Sequence, residues 1–128
     1  MAGTIVAPPF IHKTTGYSHA VRAGNTLYIA GQVALDADGN LVGEGDIEAQ
    51  VAQVWQNLKA VLGHAGGTVE DIVKITVFVT DIASRPAIAA ARDAVFPNGR
   101  YPASTFLVVQ SLARPELLVE IEAIAVLE

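Results

Sequence analysis

A chain of 128 residues is sized for one domain, and its net charge of −5, with eight scattered Lys and Arg, argues against a nucleic-acid partner. The absence of cysteine excludes disulfides, thiolate catalysis and Cys-ligated metals. No run approaches the roughly 18 apolar residues of a membrane span, and residues 1–16 do not open as a secretory leader, so a cytoplasmic protein without membrane contact is expected.

Residues 1–16, with Pro8 and Pro9, read as an extended N-terminal arm of a single domain spanning 1–128. Tyr17–Arg22 and Thr26–Gln32 are strand-like runs around Ala23-Gly24-Asn25, whose Gly and Asn supply the positive φ angles of a hairpin turn. Val33–Leu35 leads to a second turn at Asp36–Asn40 and on to Leu41-Val42. Asp46 is placed to cap a helix, because Ile47, Val51, Val54, Trp55, Leu58, Val61 and Leu62 recur at helical spacing. Gly63 and Gly66-Gly67 are expected to end it. The period then changes to two: between Asp71 and Asp81, Val73, Ile75, Val77 and Val79 alternate with Lys74, Thr76, Phe78 and Thr80, which predicts a strand.

Ser84 is placed to cap a second helix with Pro86 in its first turn and Ile88, Ala91 and Val95 on its inner stripe. Pro97-Asn98-Gly99 breaks it. Two further strands, Ala103–Gln110 and Leu117–Val126, read as a C-terminal hairpin joined through Ala113-Arg114-Pro115. The order β-β-α-β-α-β-β predicts an α+β fold, one sheet with two helices on one face. Hydrophobic residues are 52% of the chain and charged residues only 16%, so the other face is expected to be covered by partner subunits.

Tyr17-Ser18-His19-Ala20-Val21, Ala30-Gly31-Gln32, Asp71-Ile72-Val73-Lys74 with Val77-Phe78-Val79, and Glu120-Ile121-Glu122-Ala123-Ile124-Ala125 together resemble the Rid proteins. This family of reactive-intermediate (imine/enamine) deaminases is also labelled endoribonuclease L-PSP. The resemblance runs in order from Tyr17 to the C-terminus. It implies a homotrimer of chorismate-mutase-like fold, with helices outside and clefts between neighbours. It further implies substrates that are imines or enamines of small 2-amino or 2-keto acids, hydrolysed to a keto product and ammonia, with no metal or organic cofactor.

The same resemblance places Tyr17 and Glu120 in the catalytic machinery, and Gly31 where backbone approaches the ligand. Read as residues alone, Tyr17 serves equally as an interface aromatic, Gly31 as a strand bulge, and Glu120 with Glu122 as a solvated strand face. Where deaminating relatives carry a carboxylate-binding arginine in Pro-Ala-Arg, this chain reads Pro102-Ala103-Ser104-Thr105. A hydroxyl is a poor substitute for the two-pronged grip of a guanidinium. Arg92 or Arg100 could supply the missing charge, or remain solvated surface residues. His19, two residues beyond Tyr17, is expected on the same strand face as a base or hydrogen-bond partner. His12 and His64 lack metal-like spacing, and no zinc site is expected.

Three functions follow. A hydrolase of the 2-iminobutanoate/2-iminopropanoate deaminase type binds Gly31, Ser104, Thr105, Arg92 and His19 to its substrate. A non-catalytic trimer holds a small metabolite in the same clefts. A ribonuclease, suggested by the family's other label, is opposed by the acidic balance.

Overall fold

The computed structural model describes residues 2–128; Met1, the first residue of the expected arm, lies outside them. Eight elements follow in order: β1 (Thr4–Val6), β2 (Ala20–Ala23), β3 (Thr26–Gln32), α1 (Ile47–His64), β4 (Ile72–Val79), α2 (Arg85–Val95), β5 (Ala103–Val108) and β6 (Val119–Val126). The strands form one sheet in the order β1-β2-β3-β6-β4-β5, with only β4 and β5 parallel among neighbours. The two crossovers, through α1 and α2, step across the sheet in the same direction. Right-handed connections of that kind place both helices on one face, and the α+β fold is the one expected.

The core sits between those helices and the sheet. Val51, Val54, Leu58, Val61 and Leu62 of α1 pack with Leu27, Ile29, Ile75, Val77, Val79, Val119 and Ile121. Asp46 caps α1 as expected, accepting from the Ala49 amide at 3.1 Å. Gly63 lies inside the helix; Gly66, with a φ of 87°, turns the chain out of it.

Several expectations need correcting. The arm carries a strand, β1, which lies antiparallel on β2. Strand β2 begins at Ala20, so Tyr17–His19 precede it rather than form it. In β4 a register shift between Ile72 and Lys74 turns Val73 outward and gives Ile72 the buried place. Ser84 makes no cap bond; Asp81 accepts from Ala83 at 2.9 Å, capping the short turn Ile82–Ser84 that leads into α2. Strands β5 and β6 are not a hairpin. Strand β5 is carried by α2 to the free edge of β4, whereas β6 inserts between β3 and β4. The sequence of β6 explains its central place: Val119, Ile121, Ala123 and Ala125 bury one face, and Ile124, with Leu118 just before the strand, adds apolar character to the other.

Among the described residues, no layer covers that other face. Ile5, Val21, Tyr28 and Ile124 align across four adjacent strands on it. Tyr28 and Ile5 are 51% and 54% exposed, and Leu107 of β5 is 43% exposed. Among the described residues, no helix is long and apolar enough to cross a membrane.

Candidate functional site

Strand β3 bulges where it meets β6. Ile29 faces Ala123 and Gln32 faces Ile121, so Ala30 and Gly31 are pushed out of the regular ladder. The bulge brings Gly31 against the side chain of Glu120 on β6: a Cβ at Gly31 would stand 2.6 Å from the Glu120 Cδ. Only glycine leaves room for a carboxyl there. Glu120 projects to the bare face of the sheet opposite Phe78 and is half-buried. Burial, and secondarily the charge of Glu122 on the same face, hold its carboxyl above the usual range. A carboxylate of raised basicity beside a half-buried, bulged peptide is suited to accept a proton from water.

Two buried amides on α1 hold the chain around this pair. Asn57 donates to the carbonyls of Val33 and Leu35, both at 3.0 Å, fixing the segment that leaves Gly31-Gln32. Gln50 donates to the carbonyls of Gly43 and Glu116 and accepts from the Leu118 amide at 2.8 Å, fixing the segment that enters Glu120. The sequence reading missed both residues, although each sits in phase with the apolar stripe of α1, where a polar side chain needs a buried partner.

His19 stands behind the bulge and does not face the site. It is 6% exposed. Its Nε2 meets the His12 carbonyl, an acceptor only, at 2.6 Å, so Nε2 carries the proton and Nδ1 accepts from Gln32 Nε2 at 3.1 Å. With both ring nitrogens engaged, His19 is a brace for the Ala30–Gln32 bulge, not a ligand group; the Ala30 amide also donates to its carbonyl at 2.8 Å. Its T-shaped neighbour His12 is held below the usual histidine range by burial and then by His19. The shared strand face expected for Tyr17 and His19 is absent because both precede β2. Tyr17 is 54% exposed, its ring 6.4 Å from that of His19, at the same end of the sheet as the bulge.

The remaining candidates collect elsewhere. Ser104 and Arg92 line a cavity of about 230 Å³ between α2 and β5 on the helix-covered side, with Arg85 and Phe106 also on its wall. Arg92 is fixed there: its Nε and Nη2 both donate to Asp93 Oδ1, at 3.0 and 2.9 Å, and its guanidinium carbon lies 5.0 Å from the Tyr101 ring centre. Thr105 points to the opposite side of the sheet, where the Lys74 ammonium donates to its hydroxyl at 2.6 Å. Arg100 lines a different, larger hollow of about 460 Å³ between the start of β4 and the end of α2.

Within one chain, therefore, Gly31 with Glu120 and Ser104 with Arg92 form two separate loci, and Arg100 belongs to neither. Ile121 lines the cavity holding Ser104 and Arg92, while its chain neighbour Glu120 faces the other way. A ligand that meets Glu120 of one copy cannot reach Arg92 of the same copy through the sheet.

Comparison with known proteins adds to this geometry. The profile of the family described as Endoribonuclease L-PSP matches residues 8–127. The chain is 33% identical over 125 residues to a 2-iminobutanoate/2-iminopropanoate deaminase of Dermatophagoides farinae, covering 97% of this chain and 96% of that one. It is 35% identical over 109 residues to the 3-aminoacrylate deaminase RutC of Acinetobacter baylyi, covering 85% of each. Among solved structures, YyfA of Yersinia pestis, a protein of the conserved Rid family, superposes with a TM-score of 0.93 at 35% identity, covering 98% of this chain and all of that one.

Proposed function

Since the chain belongs to the endoribonuclease L-PSP, or Rid, family, we propose that it is an imine/enamine hydrolase working at clefts between the subunits of a homotrimer. Each cleft pairs Tyr17, Gly31 and Glu120 of one copy with the Arg92 and Ser104 cavity of its neighbour. Two features support shared clefts: the two loci lie on opposite sides of one sheet, and the face carrying Glu120 is bare.

In this reading the water oxygen bonds to the carbon of the protonated imine while Glu120 takes one of its protons, giving a neutral amino alcohol. Glu120 returns that proton to the nitrogen; the C–N bond then breaks as the hydroxyl O–H electrons form the carbonyl, the hydroxyl proton passes to Glu120 and on to solvent, and nitrogen leaves as ammonia. The bulged backbone at Gly31 and the Tyr17 phenol orient substrate and water. The substrate carboxylate rests on Arg92, already oriented by Asp93 and Tyr101, because Ser104 offers no charge. The single observation that carries the reading is the Gly31–Glu120 contact, which reserves space for a carboxyl of raised basicity. Named activities of relatives, imine deamination and aminoacrylate deamination, add support.

The test generates imines in situ from several amino acids with an amino-acid oxidase and follows keto-acid release over the spontaneous rate. Acceleration by the wild type, lost in Glu120→Gln, is the expected result; no acceleration with any of the imines overturns it. Ser104, in the place of the usual carboxylate-binding arginine, favours a second reading, a trimer that binds a small metabolite without turnover. Thermal stabilisation by 2-keto acids with no product formed would select it.

A further inference from the structure

The cavity between α2 and β5 holds a second guanidinium that the proposed reaction does not use. Arg85 and Arg92 are seven residues apart on α2, which puts them on the same side of the helix and about 10 Å apart along its axis. Both line the cavity, with the Ser104 hydroxyl on its strand wall. Among the described residues, no Asp or Glu lines it. Asp93 occupies one edge of Arg92, through Nε and Nη2, and leaves Nη1 and the far proton of Nη2 open. Asp93 is itself committed further, accepting from the Tyr101 hydroxyl at 2.9 Å, a bond that with Arg92 keeps its carboxyl below the usual range. Arg85 has no acidic partner within salt-bridge distance among the described residues. Its guanidinium carbon instead lies 5.9 Å from the Phe106 ring centre, on the cavity wall.

A monocarboxylate would engage one of these groups and leave the other unmatched. A chain of net charge −5 that concentrates two guanidinium groups, free of acidic lining, in one cavity presents a recognition site for two separated anionic ends. Planar forks favour carboxylates at both ends. We infer that this cavity selects dicarboxylates, so that the substrates are imines of acidic 2-amino acids, with the carboxylate next to the imine carbon on Arg92 and the side-chain carboxylate on Arg85. The small side chain of Ser104 on the strand wall leaves the volume that the longer substrate occupies. This inference rests on the hydrolase reading for its reaction, which remains addition of water to the imine carbon and departure of ammonia, yielding a 2-keto dicarboxylate.

The experiment compares the imine of glutamate with the imine of 2-aminobutanoate, each generated by an oxidase of matched specificity. It measures kcat/KM for wild type, Arg85→Gln, Arg85→Lys and Arg92→Gln. Wild type should prefer the dicarboxylate by roughly tenfold or more, the scale of one charge-assisted contact. That preference ratio should collapse in Arg85→Gln and be partly restored in Arg85→Lys, whereas Arg92→Gln should lower both substrates in parallel. A wild type that prefers the monocarboxylate, or a ratio unmoved by Arg85→Gln, overturns the inference. If neither imine is turned over, the hydrolase reading fails, and calorimetry with 2-oxoglutarate and 2-oxobutanoate decides the cavity separately. Tighter binding of 2-oxoglutarate that Arg85→Gln abolishes supports dicarboxylate selection; equal affinities overturn it.

Discussion

Gly31 and Glu120 are in such close contact that a single methyl group at Gly31 would stand 2.6 Å from the glutamate's Cδ. The obstacle is the far end of a flexible side chain, not backbone. A substituent at Gly31 therefore moves the carboxyl and leaves the strands in place.

Gly31→Ala follows directly. Stability should change by no more than about 1 kcal/mol, because Glu120 can swing toward solvent on the bare face. Deaminase activity should fall by about 10- to 100-fold, the usual consequence of displacing a reacting group by an ångström. Thermal melts and kcat/KM on one imine, measured side by side, check the split. A large loss of stability with activity per folded molecule intact would show that Gly31 serves packing alone.

The raised carboxyl of Glu120 gives a pH signature with a definite sign. Unfolded, it titrates near 4.5; folded, burial moves it higher. The folded state therefore favours the protonated form: the group's contribution is fully present below pH 4.5 and is lost as pH rises through the folded value. Glu120→Gln resembles the protonated form and does not titrate. The melting temperature of the variant relative to wild type should rise between pH 4.5 and neutrality and stay flat below, as calorimetry across that range would show.

Gln50 ties three backbone groups to α1 and is fully buried. Replacement by leucine keeps the volume and strands the Gly43 and Glu116 carbonyls and the Leu118 amide, a loss of about 3 kcal/mol where they cannot rehydrate. Glu120 lies two residues beyond Leu118, so activity per folded molecule should fall as well. Urea melts combined with single-turnover rates separate the two effects.

The local features of the fold were readable where one residue's chemistry decides the matter. Asp46 caps α1, the Val51–Leu62 stripe is buried, and Ile75, Val77 and Val79 face the core, because each follows from spacing and type. Long-range placement was not readable. Nothing local in β5 says that α2 delivers it parallel to β4, and the insertion of β6 between β3 and β4 depends on the whole sheet. The error at Tyr17–His19 has a similar origin: the run Tyr17–Arg22 reads as a strand, but the His19 ring is held by the His12 carbonyl and by Gln32, seven and thirteen residues away. For the site, motif resemblance reached Gly31 and Glu120, which the bulge does bring together. It did not reach Gln50, Asn57 or Arg85, whose roles depend on what the fold sets opposite them.

The bare sheet face yields the prediction on which the shared cleft depends. Ile124 lies at its centre, opposite Tyr28 on one side and Lys74 on the other, with Ile5 and Val21 in the same row. Apolar side chains in that number stay in water only at a cost of about 25 cal/mol for each Å² left uncovered, which favours packing against other copies. Wild-type protein should scatter light at three times the 13.4 kDa mass of the chain. Ile124→Lys places an unpaired ammonium in that contact, where desolvation opposes assembly, and the helix-side core is untouched because Ile124 points away from it. The variant should keep its circular dichroism and scatter as a single chain, and its deaminase activity should vanish with the assembly, since Glu120 and Arg92 then no longer share a cleft. Lys59→Glu, on the exposed side of α1, should leave mass and activity as they were. A monomeric Ile124→Lys that still hydrolyses imines at the wild-type rate would place the whole reaction within one subunit.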